Sequence, residues 1–361
     1  AVRIDEIRAG EDKPGLADYE VSFLRLLEKI TNGSMVEISY TGTSLVYRPG
    51  VIVGGKVSHD CPISRSIGYF LEPLLVLAPF AKHPVSATLS GITNNNVDPS
   101  VDFVRTVLLP QLKRFGVGSD GSGDLELKIT HRGAPPLGGG LVSFSCPIVK
   151  TLKPIQHTEP GQIKKIRGIA YAARVSPQMS NRVVDAARSL LTRYIPDVYI
   201  FSDLYRGAES GKSPGYACTL VAESKSGSLI ATECAFQPRK ASEEHVPDTT
   251  TLPDTLLKEN YSFSTPEDLG VRAARLLLRE IQMGGCVDSM SQWLSLILAA
   301  LCTEDVSKIR LGGLTTFSVQ LLRDIRKMLG VTFKIQPDEE THTVLVSCLG
   351  SGFVNLAKSS K

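Results

Sequence analysis

The sequence predicts a mixed α/β protein built from repeated helix-to-strand units, with a smaller α/β domain inserted into the series. The first observation is a recurring junction: Lys29 to Gly33, Lys113 to Val117 and Lys327 to Val331 each place a cation in a last helical turn, a glycine just beyond and a β-rich run after it. A cation suits the negative end of the helix dipole, and glycine takes the left-handed cap without steric cost. The second is spacing: Gly33 to Gly116 is 83 residues, whereas Gly116 to Gly330 is 214. An insertion of about 130 residues accounts for the difference. The third is size, because 361 residues at 42% apolar and 21% charged fill two domains with real cores. The repeats are assigned to 1–160 and 285–361, and the insert to 161–284.

In chain order, Val2, Ile4 and Ile7 read as a strand, Gly10 and Pro14-Gly15 as a tight loop, and Tyr19 to Ile30 as a helix with apolar residues at helical spacing. That strand-to-helix junction offers unpaired backbone N–H groups beside Arg8 and Lys13. It can receive an anion, or be an ordinary connection with two solvated cations. Leu141 to Cys146 reads as a strand after Gly138-Gly139-Gly140, a triplet that most often marks a close backbone approach. His131 and Arg132, just before it, can face a cleft or the solvent.

Within the insert, Gln178 to Tyr194 reads as a helix, Asp197 to Ser202 and Tyr216 to Glu223 as strands, and Pro266 to Met283 as a helix capped by Thr265. Between Gln237 and Ser264 lie three prolines and no apolar periodicity, which predicts a mobile surface loop over 237–264. A helix is expected from Thr316 to Leu329.

Net charge of +3 and a pI near 8.4 are too mild to argue for nucleic-acid binding by the whole chain. The apolar runs near 74–81 and 294–302 are shorter than the roughly 20 residues of a membrane span, so no membrane association is expected. Seven cysteines, no two closer than sixteen positions, fit neither a zinc knuckle nor a disulfide framework. They read as reduced, buried thiols in an intracellular compartment, and no secretory or transit segment is visible. The histidines have no metal spacing, so neither a metal nor a cofactor is expected.

Two stretches carry charge or glycine in patterns worth testing. Gly207 to Ser213 misses the P-loop spacing, with three residues instead of four between its glycines, and Pro214 removes a donor where a phosphate cradle needs one. It reads as a turn. The stretch from Lys150 to Arg174 holds Lys150, Lys153, Lys164, Lys165, Arg167 and Arg174 against the single acid Glu159. It is either a solvated basic edge or a contact for RNA phosphate or an acidic protein surface.

The segment Ile7-Arg8-Ala9-Gly10 through Pro14-Gly15-Leu16 resembles the opening motif of the RNA 3′-terminal phosphate cyclases. The likeness continues through Thr41-Gly42-Thr43, Tyr47-Arg48-Pro49-Gly50, Gly91-Ile92-Thr93-Asn94, Asp98-Pro99-Ser100-Val101-Asp102-Phe103, Leu109-Pro110 and the run Arg132 to Gly140. Arg174-Val175-Ser176-Pro177 and Ser210 to Gly215 resemble the eukaryotic, cyclase-like branch. The resemblance implies a large domain of helix-pair-on-sheet repeats, repeated two-helix, four-strand units, with an inserted α/β domain. It implies a family strand and Gly-rich acidic segment ahead of Val2, so the first unit is expected to be N-terminally incomplete. It also implies a remnant cleft, where Arg8, Lys13 and Arg132 with Gly138, Gly139 and Gly140 would hold an anion or an acidic partner side chain.

Cyclases carry a histidine nucleophile in a stretch resembling S-C-H-L-x-T, and an acidic residue upstream in an A-D-Q motif. Here the matching positions are Gly313 to Val319, without histidine, and Ser291-Gln292. The resemblance therefore implies a non-catalytic nucleolar factor that binds a large GTPase ribosome-assembly factor, enters the small-subunit processome and acts on pre-rRNA processing, with direct pre-rRNA contact left open. The alternative is an endoribonuclease using Arg323, Asp324 and Lys327; these lie in a helix where a salt-bridged surface is the simpler reading. An active cyclase is the remaining alternative.

Overall fold

In the computed structural model the described residues are 1–119, 121, 123–236 and 265–358; the loop expected over 237–264 lies outside them. Strand β1 (Val2–Ile4), helix α1 (Asp18–Ile30), and strands β2 (Thr31–Asn32), β3 (Met35–Ile38), β4 (Leu45–Arg48) and β5 (Val51–Ile52) come first. An antiparallel sheet of order β1-β4-β3 forms among them.

Next come β6 (Gly54–Asp60), α2 (Ile67–Leu77), β7 (His83–Gly91), α3 (Val101–Phe103), a π-helical turn (Val104–Leu108), α4 (Leu109–Arg114), β8 (Glu126–His131) and β9 (Gly140–Cys146). Their sheet has the order β6-β7-β9-β8, with β6 and β7 parallel and the other pairs antiparallel. After β10 (Gln156–His157) the chain makes a separate layer: β11 (Ile163–Ala173), α5 (Pro177–Leu191), β12 (Val198–Tyr205), β13 (Gly215–Ser224), β14 (Leu229–Ala235) and α6 (Pro266–Met283), with sheet order β12-β11-β13-β14.

The chain then returns through α7 (Gln292–Ala300), β15 (Val306–Leu311), α8 (Thr316–Leu329), β16 (Lys334–Asp338) and β17 (Thr343–Leu349). Together with β10 these give the order β10-β15-β17-β16, again parallel in the first pair and antiparallel in the others. Two sheets thus share one plan, strand order 1-2-4-3 with a helix after each of the first two strands. The β1-β4-β3 sheet matches the 2-4-3 part of it.

Local chemistry explains most boundaries. Thr265 accepts from Asp268 N (3.3 Å) while Asp268 reaches back to Thr265 N (3.2 Å), a reciprocal cap that starts α6. Gly330, at φ +70°, closes α8 by donating to Arg326 O, and Gly116, at φ +96°, follows α4. The first junction departs from the expected pattern. Helix α1 passes directly into β2 at an extended Thr31, and Gly33, at φ +79°, instead turns the chain between β2 and β3. Helix α5 stops at Leu191, short of Tyr194, because residues 192–194 bend into a turn in which Tyr194 and Ile195 both donate to Leu191 O. Strand β12 outruns Ser202, as β11 continues to pair with it through Ala173 and Tyr205.

One core is shared by the two complete repeats, with Phe70, Leu74, Val104, Phe144, Leu296 and Ile309 all buried in it. A second core lies between the insert sheet and helices α5 and α6, around Ile166, Leu220, Ala273 and Leu277. The other face of the insert sheet meets the helical stretch 101–114, where Val221 and Ala231 join the larger core. Side chains also clasp β14. Asn96 bonds both Ala235 N and Ala235 O at 2.7 Å, Glu233 Oε1 accepts from Ser100 N (2.9 Å) and Asp288 Oδ2 from Ala231 N (3.2 Å).

Candidate functional site

The most concentrated polar chemistry lies where β8 ends, between the second repeat and the insert. Arg132 is fully buried. Its Nη1 donates to Asp102 Oδ2, and its Nη2 to Asp102 Oδ1 (2.9 Å) and Asp203 Oδ2 (3.1 Å). Asn94 Oδ1 lies 3.3 Å from Nη1, and the guanidinium carbon is 4.7 Å from the Tyr171 ring centre and 5.4 Å from that of Tyr205. Burial opposes charge on both partners, but mutual attraction overrides it: Asp102 holds the guanidinium pKa above its ordinary value, and Arg132 holds the Asp102 carboxyl below the usual range. Arg132 is therefore a clasp joining the helix at 101–114 to strand β12, and not a lining residue of an open anion pocket as the sequence suggested.

The glycine triplet makes the close backbone approach that its sequence suggested, at the place where the resemblance implied an anion site. Lys212 N donates to Gly138 O (2.9 Å) and Leu137 N to Ser213 Oγ (3.0 Å), so the segments 133–140 and 207–215 lie against each other. A Cβ on Gly140 would stand 2.5 Å from Thr93 Cγ2, and one on Gly211 2.2 Å from Arg132 O. The glycines serve a close approach of two backbones.

Arg8 lies in a different network. At φ +47° it turns back over the start of α1, where it makes a two-pronged ion pair with Glu20 and donates from Nε to Gly15 O (3.0 Å). Glu20 also accepts from Ala17 N (2.8 Å), so a carboxylate occupies the helix N-terminus that was expected to draw an anion. Lys13 is exposed. Arg8 and Arg132 thus pair with different carboxylates and do not converge. A third cation, Arg65, rests over Tyr19 and Tyr69 at 5.0 and 4.4 Å and donates from Nε to Asp98 Oδ1 (2.7 Å). Asp98 Oδ2 accepts Ser66 N (2.7 Å) at the head of α2. Neither Arg65, Asp98, Asp203 nor the two tyrosines around Arg132 stood out in the sequence; Asp98 and Asp102 sit in a recognised motif, and that was the available signal.

The segment 313–319 begins α8. Thr315 Oγ1 caps Ser318 N (3.0 Å), and Gln292 ties the turn by donating to Gly313 O (2.7 Å) and accepting from Ser318 Oγ (2.9 Å). His342 lies in the turn before β17, at φ +52°. Arg323, Asp324 and Lys327 are exposed on α8, and Asp324 takes a hydrogen bond from Gln320 Nε2 (3.1 Å) one turn earlier, not from Lys327 or a neighbouring repeat. Exposed side chains away from a core contribute little. Alanine at all three positions should shift stability by less than about 1 kcal/mol, read by thermal melting; a drop of several degrees in Tm would show that this face is packed.

The six cations of 150–174 do not make one edge. Lys165 pairs with Glu223 (3.0 Å), Arg167 with Asp197 (2.8 Å), and Arg174 Nε donates to Gly211 O (2.6 Å) near the Arg132 clasp. Lys153 lies against Gly116, Lys150 O accepts from Asn355 N near the C-terminus, and Lys164 is exposed at the start of β11. Strand alternation and the length of the connection spread them over the repeat and the insert.

Residues 1–335 match the family described as RNA 3′-terminal phosphate cyclase. An RNA 3′-terminal phosphate cyclase-like protein of Homo sapiens is 50% identical over all of this chain and 92% of its own length. A probable protein of the same description from Dictyostelium discoideum is 52% identical over all of this chain and 94% of its own length. An rRNA processing protein of Schizosaccharomyces pombe is 46% identical over 98% of this chain and 91% of its own.

Proposed function

Because the chain belongs to the RNA 3′-terminal phosphate cyclase family, in its cyclase-like branch, we propose that it is an assembly factor for small-subunit pre-rRNA processing that performs no nucleotidyl transfer. The observation that carries this reading is the start of α8. Where the family resemblance puts a histidine nucleophile, this chain has Gly313 to Val319; Thr315 Oγ1 bonds Ser318 and Ser318 Oγ bonds Gln292, while Thr316 is exposed. A hydroxyl nucleophile needs an adjacent base, and a Gln292 amide oxygen is not one. The rRNA processing relative supports the process, and the reading extends to a nucleolar location, a large GTPase partner and the processome.

Incubated with ATP, magnesium and a 3′-phosphorylated RNA, the purified protein should give no nucleotidylated protein and no cyclic end, checked by intact mass and by phosphatase resistance of the RNA. A covalent adenylate would reverse the reading. Co-purification from nuclear extract, scored for pre-ribosomal particles and a GTPase, tests the rest; a chain recovered free of both is not an assembly factor.

A further inference from the structure

Strand β8 is the outer edge of its sheet, and beside it runs a groove of about 720 Å³ between Glu126 to Thr130 and the helix stripe Arg105, Leu109, Pro110 and Lys113. An edge strand turns every second N–H and C=O away from its neighbour, a ready template for another chain. At one end that template is already in use: Arg132 N donates to Glu209 O (2.8 Å) of the insert, and Tyr205 and Glu209 wall the groove there. From Glu126 to Thr130 no such cover exists among the described residues.

The groove's geometry selects a polypeptide. Arg105 and Lys113 stand eight residues apart across the π-helical turn and α4, at most about 12 Å along the axis. First and fifth residues of a strand are about 13 Å apart and share a face, with the third between them. Midway between the two cations, partly buried Pro110 and the edge of Leu109, only 3% exposed, form the groove's apolar floor. The rim holds Arg105, Lys113 and Lys128 against Glu126 and Glu209, a small positive excess that favours a few carboxylates over a polyanion. Lys128 pairs with Glu126 (3.0 Å) and Arg105 reaches Asp102 (3.3 Å).

We propose that this groove docks an extended polypeptide segment that adds a strand to β8, with acidic side chains at its first and fifth positions facing Arg105 and Lys113 and an apolar one at the third over Leu109 and Pro110. The proposal goes beyond the rRNA-processing reading and stands or falls separately from it, since it concerns binding by the isolated chain.

The test is a dye-labelled peptide Thr-Glu-Thr-Val-Thr-Glu-Thr, followed by fluorescence anisotropy and by hydrogen exchange of the protein's amides. The expected result is binding that slows exchange within 126–130, and a loss of at least about tenfold in affinity in Lys113→Glu. Lys113 is exposed at the C-terminal turn of α4, so reversing its charge should lower Tm by a few degrees at most and leave the chain folded at the assay temperature. Equal binding of a peptide with the two glutamates adjacent, or binding without protection of 126–130, would overturn the proposal. A single-stranded RNA that protects these amides when the peptide does not would assign the groove to nucleic acid instead.

Discussion

Replacing Arg132 by methionine should cost about 3–5 kcal/mol of folding stability, measured by urea titration, because it leaves Asp102 as a buried charge with only the longer Arg105 contact (3.3 Å) to offset it. Asp102 is 1% exposed and takes both prongs of the guanidinium; Asp203, beside it, is 23% exposed and takes the third contact. Without the cation, the desolvation that Arg132 now overrides would dominate, and Asp102 would have to bind a proton or draw water into the core. Burying a fully paired charge gains little, whereas orphaning one costs much. The double variant Arg132→Met with Asp102→Leu should therefore recover a large part of the loss, since both charges leave together. Arg8→Ala is the contrast: Arg8 and Glu20 are each about a quarter exposed, solvent screens the pair, and the expected change there is much smaller. If Arg132→Met stayed within 1 kcal/mol of wild type, or if the second substitution only deepened the loss, the clasp would not be what holds β12 to the helix at 101–114.

Arg132 also shows where reading the sequence stops. Its partners Asp102 and Asp203 are 30 and 71 residues away, and no local pattern distinguishes an arginine bound for a buried clasp from one facing a cleft. Contrast α6 and α8, whose starts at Pro266 and Thr316 and ends at Met283 and Leu329 fall where capping residues and apolar spacing put them. Those signals act over one or two turns, the range over which side chains on a helix meet. Gly33 falls between the cases. Its positive φ was foreseeable, but whether a glycine ends a helix or turns two strands depends on β2 pairing with β5, which is a tertiary event. Pairing also dispersed the basic stretch, because Glu223 and Asp197, which neutralise Lys165 and Arg167, come from strand β13 and the loop before β12.

The insert is held by carboxyl groups whose protonation matters, and this leads to a pH dependence. Glu233 is partly exposed as a residue, but its Oε2 is buried without a hydrogen-bond partner, while Oε1 accepts from Ser100 N. Burial pushes its pKa up to about 8, with Asp102 and Asp288 adding to the rise. Its unfolded value is about 4.3. Between those limits the folded chain keeps a proton that the unfolded chain has released, so Glu233 makes stability fall as pH rises from about 5 to 8, while half-buried His157, pushed down to about 4, works the other way up to about pH 6.5. Asp288 and Glu72, each raised to about 7 by burial, act in the same sense as Glu233 over most of that window. Asp102, held low by Arg132, works the other way only below pH about 4, where its protonation would weaken the clasp. Glu233→Gln keeps the acceptor for Ser100 N and cannot ionise. Its stability should therefore decline less steeply than wild type between pH 5 and 8, with the gap widest near pH 8 and of the order of a few kcal/mol. Urea titrations at a series of pH values decide it: parallel curves for the two proteins would mean that Glu233 is already ionised in the fold, its free oxygen served by solvent.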